Sequence, residues 1–94
     1  MKVLILGKMK EEEQFYLAES SIRENGDIPI NPIRIMHALP EDITNADFIS
    51  VLIELVRISD AVFLQEDFIT DLASSIAWTN AKNNEKEIYK KGGE

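Results

Sequence analysis

The amino-terminal segment constrains the fold most, because it joins an apolar run to an acidic helix-forming stretch through a single glycine. Residues 2–6 favour a β-strand, Gly7 interrupts this strand, and residues 10–24 favour a helix. The apolar side chains of the helix recur at three- and four-residue spacing, at Phe15, Ala18 and Ile22, with Leu17 extending the stripe. The chain therefore opens with a strand, a turn and a helix, which is how a βαβ unit begins.

The same alternation of strands and helices continues to the end of the chain. Strands are predicted at residues 27–31, 60–64 and 86–89, and helices at residues 44–58 and 71–83. Pro29 lacks an N–H donor, so the second strand is expected at a sheet edge. Residues 60–64 show no polar alternation, which is typical of a central parallel strand. We predict one α/β domain over residues 1–90 with a parallel sheet, followed by a flexible tail over residues 91–94.

The segments that connect these elements carry fewer signals. Residues 33–43 have apolar side chains without a clean period and contain Pro40, so we predict a long loop that could include one turn of helix. Thr44 and Asp47 have the spacing of a capping box at the start of the next helix. Thr70 is expected to cap the last helix. The predicted inner face of that helix comprises Leu72, Ala73, Ile76, Ala77, Asn80 and Ala81.

The predicted helix at residues 44–58 is apolar on almost every side. A single apolar stripe is sufficient to pack a helix on a sheet, so the second apolar face needs another cover. We therefore expect a homodimer or a higher homo-oligomer. The predicted interface residues are Phe48, Val51, Leu52, Leu55 and Trp78.

Composition excludes several classes of function. The net charge of −7 argues against binding to nucleic acid or to anionic lipid, since phosphate contacts need a clustered basic surface. No apolar run approaches the roughly 20 residues that a bilayer requires. The absence of cysteine rules out disulfides, thiolate catalysis and zinc bound by cysteine. The start of the chain lacks the pattern of a secretory signal, so we expect a cytoplasmic location, with no metal and no cofactor.

Candidate site residues cluster where predicted strands end, because ligands of open parallel sheets bind at the carboxyl ends of strands. The candidate ligand-binding residues at these positions are Gly7, Lys8, Met9, Asn31 and Pro32. Glu66 and Asp67 follow the third strand and are the candidate catalytic carboxylates. Two carboxylates there could hold a sugar hydroxyl, coordinate a hard cation or act as a nucleophile, or they could form a solvated acidic turn.

Three motifs in this order resemble the nucleoside 2-deoxyribosyltransferase-like family, especially its short bacterial and phage members. They are Ile5-Leu6-Gly7-Lys8-Met9, Ile30-Asn31-Pro32 and Ser59-Asp60-Ala61-Val62-Phe63-Leu64. The resemblance implies a flavodoxin-like or Rossmann-like three-layer sandwich with a small sheet of about four strands. It also implies oligomeric assembly and a pocket for a deoxynucleoside or its monophosphate, with Asp71 among the ligand-binding positions.

The chain departs from the family at the reaction centre. Active members attack the anomeric carbon with a glutamate on the helix after the third strand. Matching Asp71 and Ala81 to the family pattern places Ala77 at the glutamate position, and a second acidic position falls on Leu52. The resemblance therefore implies a remnant nucleoside or nucleotide pocket without transferase activity.

Two alternatives stay open from the sequence. The chain could be an active hydrolase or transferase of N-glycosidic bonds that uses Glu66 or Asp67. It could also be an oligomerising structural or regulatory module that binds no ligand. A receiver-type domain would need a phosphorylatable aspartate opposite a lysine, and Asp67 with Lys86 or Lys90 fits that pattern poorly.

Overall fold

The computed structural model describes residues 1–92, and within them four strands alternate with α-helices. In chain order the elements are β1 (Lys2–Leu6), α1 (Glu12–Glu24), β2 (Ile28–Ile30), α2 (Pro32–Ala38), α3 (Asn45–Ile58), β3 (Ala61–Leu64), α4 (Leu72–Asn83) and β4 (Glu87–Lys90). A 3₁₀ turn at Phe68–Thr70 connects β3 to α4. In the predicted tail, the Lys91 N–H donates to the Leu64 carbonyl and so continues the β3–β4 ladder, whereas residues 93–94 lie outside the described part.

The strands form one parallel sheet in the order β2-β1-β3-β4. The α/β prediction with a small parallel sheet is confirmed, and the arrangement agrees with a small flavodoxin-like sandwich. Pro29 lies in the edge strand β2 and β3 is central, as their sequences indicated. Ile5, Phe63 and Tyr89 lie side by side on three neighbouring strands.

Helices cover the two faces of the sheet unequally. Alternate strand residues point to opposite faces, so each face has its own apolar cluster. The cluster beneath α1 and α2 comprises Val3, Ile5, Phe15, Ala18, Ile22, Ile33 and Ala61. The cluster beneath α3 and α4 comprises Leu4, Leu6, Leu52, Val56, Val62, Leu64, Ala77 and Ala81. We call these two sides the α1 face and the α4 face.

Helix α3 finds much of its second apolar cover inside the subunit. The predicted capping box is present, because Thr44 Oγ1 accepts from the Asp47 N–H and the Asp47 carboxylate accepts from the Thr44 N–H. The helix packs on the sheet through Leu52 and along α4 through its flank. Leu52 is fully buried in the subunit core, so it forms no part of an external interface, contrary to the prediction. The other predicted interface residues are half-buried: Phe48, Val51, Leu55 and Trp78.

Two predictions about helix starts are wrong. The sequence predicts a long loop over residues 33–43 that could include one helical turn, whereas α2 begins at Pro32 and extends over seven residues. The Asn31 side chain caps this helix by accepting from the Ile33 N–H at 3.0 Å, and proline is favoured at the first helical position because it needs no donor there. Helix α4 is capped by Asp71, not by Thr70, since Thr70 lies in the preceding 3₁₀ turn.

Two leucines that were assigned to inner helix faces are exposed. With Asp71 as the cap, α4 turns Ser74, Ala77 and Ala81 toward the sheet, and Leu72 is left 69% exposed. Leu17 is 58% exposed because the part of the α1 face beside it has no second helix. Among residues 1–92, no helix combines the length and the apolar composition that crossing a bilayer would need.

Candidate functional site

The carboxyl ends of β1, β3 and β4 meet at one edge of the sheet, and the α4 side of this edge is closed. The Ser74 hydroxyl donates to the Gly7 carbonyl at 2.6 Å and accepts from the Gly7 N–H at 3.0 Å. Both residues are buried. The polar backbone groups of Gly7 are therefore used inside the protein and are not available to a ligand.

Asp71 extends this closure to the rest of the turn. One carboxylate oxygen accepts from the Ser74 N–H at 3.0 Å and caps α4, while the other accepts from the Met9 N–H at 3.1 Å. Ala77, which the predicted resemblance matches to a nucleophile, is fully buried in the apolar cluster of the α4 face. A ligand has no access to this position, and the residue offers no reacting group.

The α1 side of the same edge is open and contains a cavity of about 200 Å³, which we call the polar pocket. Its lining comes from the ends of three strands and from the start of α1. The lining residues are Lys8, Glu11, Gln14, Gln65, Glu66, Asp67 and Lys91. The structure thus brings together Lys8, Glu66 and Asp67, which the sequence nominated separately.

Gln65 is the most unusual residue of the polar pocket. Its side chain is only 6% exposed, and its buried Nε2 has no hydrogen-bond partner among the described residues. Gly7 makes room for it, since a Cβ at Gly7 would lie 2.6 Å from Gln65 Nε2. A buried donor without a partner costs about 1–3 kcal/mol, so most buried polar groups in proteins are paired. This amide could donate to an acceptor atom of a molecule bound in the polar pocket.

The charged side chains that line the polar pocket have a small excess of negative charge. Its two lysines are outnumbered by three carboxylates, and Lys91 Nζ is already directed to Gln14 Oε1 at 3.2 Å. Asp67 turns the chain here with a left-handed backbone, at φ 59°. The lining offers both donors and acceptors, which suits a neutral molecule rich in hydroxyl groups.

A wider groove of about 650 Å³ adjoins the polar pocket and shares Gln14, Gln65 and Lys91 with it. It runs along α1 over the part of the sheet that no helix of residues 1–92 covers on this face. Leu17, Phe63 and Tyr89 give it apolar and aromatic surface. The Tyr89 hydroxyl donates to Glu87, and this hydrogen bond raises the pKa of Tyr89.

The remaining nominated residues have structural contacts. Gly7, Met9 and Asp71 form the closed α4 side, while Asn31 and Pro32 start α2. Sequence reasoning missed four residues that line the polar pocket: Glu11, Gln14, Gln65 and Lys91. For Gln65 a signal existed, because it directly precedes the acidic pair at the end of a buried strand.

Among residues 1–92 there is no group of three or more His, Cys, Asp or Glu side chains arranged to hold a metal ion. Comparisons with protein-family models, with curated proteins and with solved structures each found no match to this chain. The family resemblance of the three motifs therefore stays a prediction.

Proposed function

We propose that the protein is a non-catalytic binding module for a neutral nucleoside, with the sugar in the polar pocket and the base in the groove. The observation that carries this proposal is the buried, unpaired amide of Gln65 beside an open cavity at the carboxyl ends of parallel strands. Ligands of open α/β sheets bind at this edge. The buried alanine at position 77 supports the absence of deoxyribosyl transfer.

The polar pocket and the groove differ in size and chemistry, and each suits a different part of a nucleoside. Sites for whole small molecules usually measure about 300–1,000 Å³, so the polar pocket alone holds a sugar-sized group. Glu66 and Asp67 would accept from sugar hydroxyls, and Gln65 would donate. The groove offers the rings of Phe63 and Tyr89 to a planar base, which favours aromatic contact. A 5′-phosphate would meet the excess of carboxylates.

A ligand panel tests this division. Deoxynucleosides, their 5′-monophosphates and free deoxyribose are compared by thermal shift, and binding is quantified by calorimetry. At 100 times Kd a ligand stabilises by about 2.7 kcal/mol, which raises Tm by several degrees in a domain of this size. We expect nucleosides to bind more tightly than their monophosphates. Absence of binding by every nucleoside would overturn the proposal.

Replacing Gln65 separates binding from folding. Gln65→Met keeps the volume of the side chain and removes the amide, so we expect the ligand-induced shift to disappear while the free protein stays folded. Asn83→Ala removes an exposed amide at the end of α4 and serves as the control. Full retention of the shift in Gln65→Met would contradict the assigned role.

The enzymatic alternative has one observation in its favour, because Glu66 and Asp67 both line the polar pocket. A carboxylate there could attack an anomeric carbon. Incubation with deoxynucleosides and chromatography for free base tests this reaction. Base release that is lost in Glu66→Gln or Asp67→Asn would replace the non-catalytic proposal with an N-glycosidic hydrolase.

A further inference from the structure

The two edges of the sheet differ in their capacity to pair with another strand. In β2 the Ile28 N–H donates inward to Met1, so the alternate residue Pro29 faces outward without a donor. In β4 the N–H groups of Glu87 and Lys91 donate to the β3 side. The N–H and C=O of Ile88 and Lys90 therefore point away from the sheet. No strand of residues 1–92 pairs with this outer edge.

We propose that β4 pairs in antiparallel orientation with β4 of a second copy of this chain, across a two-fold axis at Tyr89. Regular pairing requires outward-facing residues to lie opposite outward-facing residues. Near the middle of β4 this condition leaves three symmetric registers, with the axis at Ile88, Tyr89 or Lys90. The charges of the strand distinguish among these registers.

Like charges directly opposite each other destabilise a strand pair, whereas opposite charges stabilise it. With the axis at Ile88, Glu87 would face the uncharged Tyr89 of the second copy, while Lys86, whose Nζ donates to the Arg57 and Ser59 carbonyls, would lie opposite Lys90. With the axis at Lys90, that lysine would face itself. With the axis at Tyr89, Glu87 faces Lys91 of the second copy, and the symmetric pair repeats the contact. Within the subunit these two side chains bond to uncharged groups, the Tyr89 hydroxyl and the Gln14 amide, so neither charge is neutralised there. The sequence around β4 is thus complementary to itself in one register only.

This register also matches the exposure of the strand. Tyr89 is 44% exposed and lies beside Phe63 on the α1 face. The axis places it opposite Tyr89 of the second copy, in the pair type where side chains approach most closely. Such an isologous contact closes a dimer and joins the grooves of both subunits over one continuous sheet. This strand pairing requires no bound ligand.

Sedimentation equilibrium across a range of protein concentrations tests the dimer. Lys90→Pro removes an outward N–H and none of the β3–β4 hydrogen bonds, which reproduces on β4 what Pro29 does on β2. We expect this variant to be monomeric with an unchanged circular dichroism spectrum. In the wild-type protein, the Ile88 and Lys90 amides should exchange more slowly at high concentration. A wild-type protein that stays monomeric throughout would overturn the proposal.

Charge reversal tests the register. Glu87→Lys and Lys91→Glu should each weaken dimerisation at least tenfold, and the double variant should restore it. Glu24→Lys makes the same charge change at the exposed end of α1 and should leave dimerisation unchanged. Because a misfolded single variant would not be rescued, restoration supports the pairing of these two residues. A dimer that tolerates both single reversals would place the interface elsewhere, for example at Phe48 and Leu55.

Discussion

The two sides of the carboxyl edge of the sheet differ in how they pair the buried polar groups at the strand ends. On the α4 side, Ser74 and Asp71 pair the polar backbone groups of Gly7 and the N–H of Met9. On the α1 side, Gln65 keeps a buried donor without a partner beside an open cavity. The closed side contains the buried Ala77, and the open side contains the polar pocket in which we propose that a ligand binds.

Gly7 serves both sides because it has no side chain. Ser74 bonds its backbone from the α4 side, and Gln65 occupies the space next to its Cα where a Cβ would lie. The two sides therefore differ because different residues pack against Gly7 from each side, and not because of the turn itself. A glycine at the end of a first strand is, in this protein, a requirement of packing.

Ser74→Ala should cause the largest loss of stability. It leaves the N–H and the carbonyl of Gly7 buried without partners, so we expect the free energy of unfolding to fall by about 3 kcal/mol. Urea denaturation measures the change. Ser75→Ala, one residue along the same helix, should stay within about 0.5 kcal/mol of wild type. Equal effects of the two substitutions would show that Ser74 does not close the α4 side.

Local sequence signals predicted the main strands and helices of the fold. The stripe of Phe15, Ala18 and Ile22, the capping box at Thr44 and the position of Pro29 each follow from interactions within a few residues. Helix α2 was missed although Asn31 and Pro32 are a helix-start signal, because the same pair also ends a strand.

Contacts between distant residues could not be predicted in this way. Ser74 and Gly7 are 67 positions apart, and nothing near Ser74 indicates that its hydroxyl will meet that turn. The open side depends on the same kind of information. The sequence places Gln65 at the end of a buried strand, but the burial of its amide against Gly7 follows only from the packing of β3 beside β1.

Gly7→Ala should destabilise the protein, because Gly7 contacts residues on both sides of the sheet edge. Its new Cβ would displace Gln65, and overpacking of this kind costs about 1–3 kcal/mol. We expect a loss near the lower limit, about 1.5 kcal/mol, because the closest atom is the end of a flexible side chain. In a Gln65→Ala background the same substitution should cost clearly less, because only the Cβ of residue 65, at 3.2 Å, stays close to the new methyl group. Additive effects in this double-mutant cycle would show that Gln65 does not occupy that space.

Gln65→Met should stabilise the free protein by about 1 kcal/mol, because it removes a buried polar group that has no partner. The same change is expected to abolish ligand binding, so stability and binding should move in opposite directions. Urea midpoints of the free protein check the sign. A clear destabilisation would mean that the Gln65 amide is paired in solution, and the open side would then lose its distinguishing feature.

The amino edge of the sheet gives the smallest expected effect, because its paired carboxylate is exposed. Asp60 accepts from the Lys2 N–H at 2.8 Å, and this hydrogen bond lowers the pKa of Asp60. A lowered folded-state pKa contributes stability above the unfolded value, near pH 4, and that stability is lost as pH falls through the folded value. Asp60→Asn should therefore be less stable than wild type at pH 6, and the difference should shrink below about pH 4. Urea midpoints measured across this range check the slope, with Asp42→Asn as the control for net charge. If wild type and Asp60→Asn lose stability in parallel below pH 4, the edge carboxylate has no part in holding β1 beside β3.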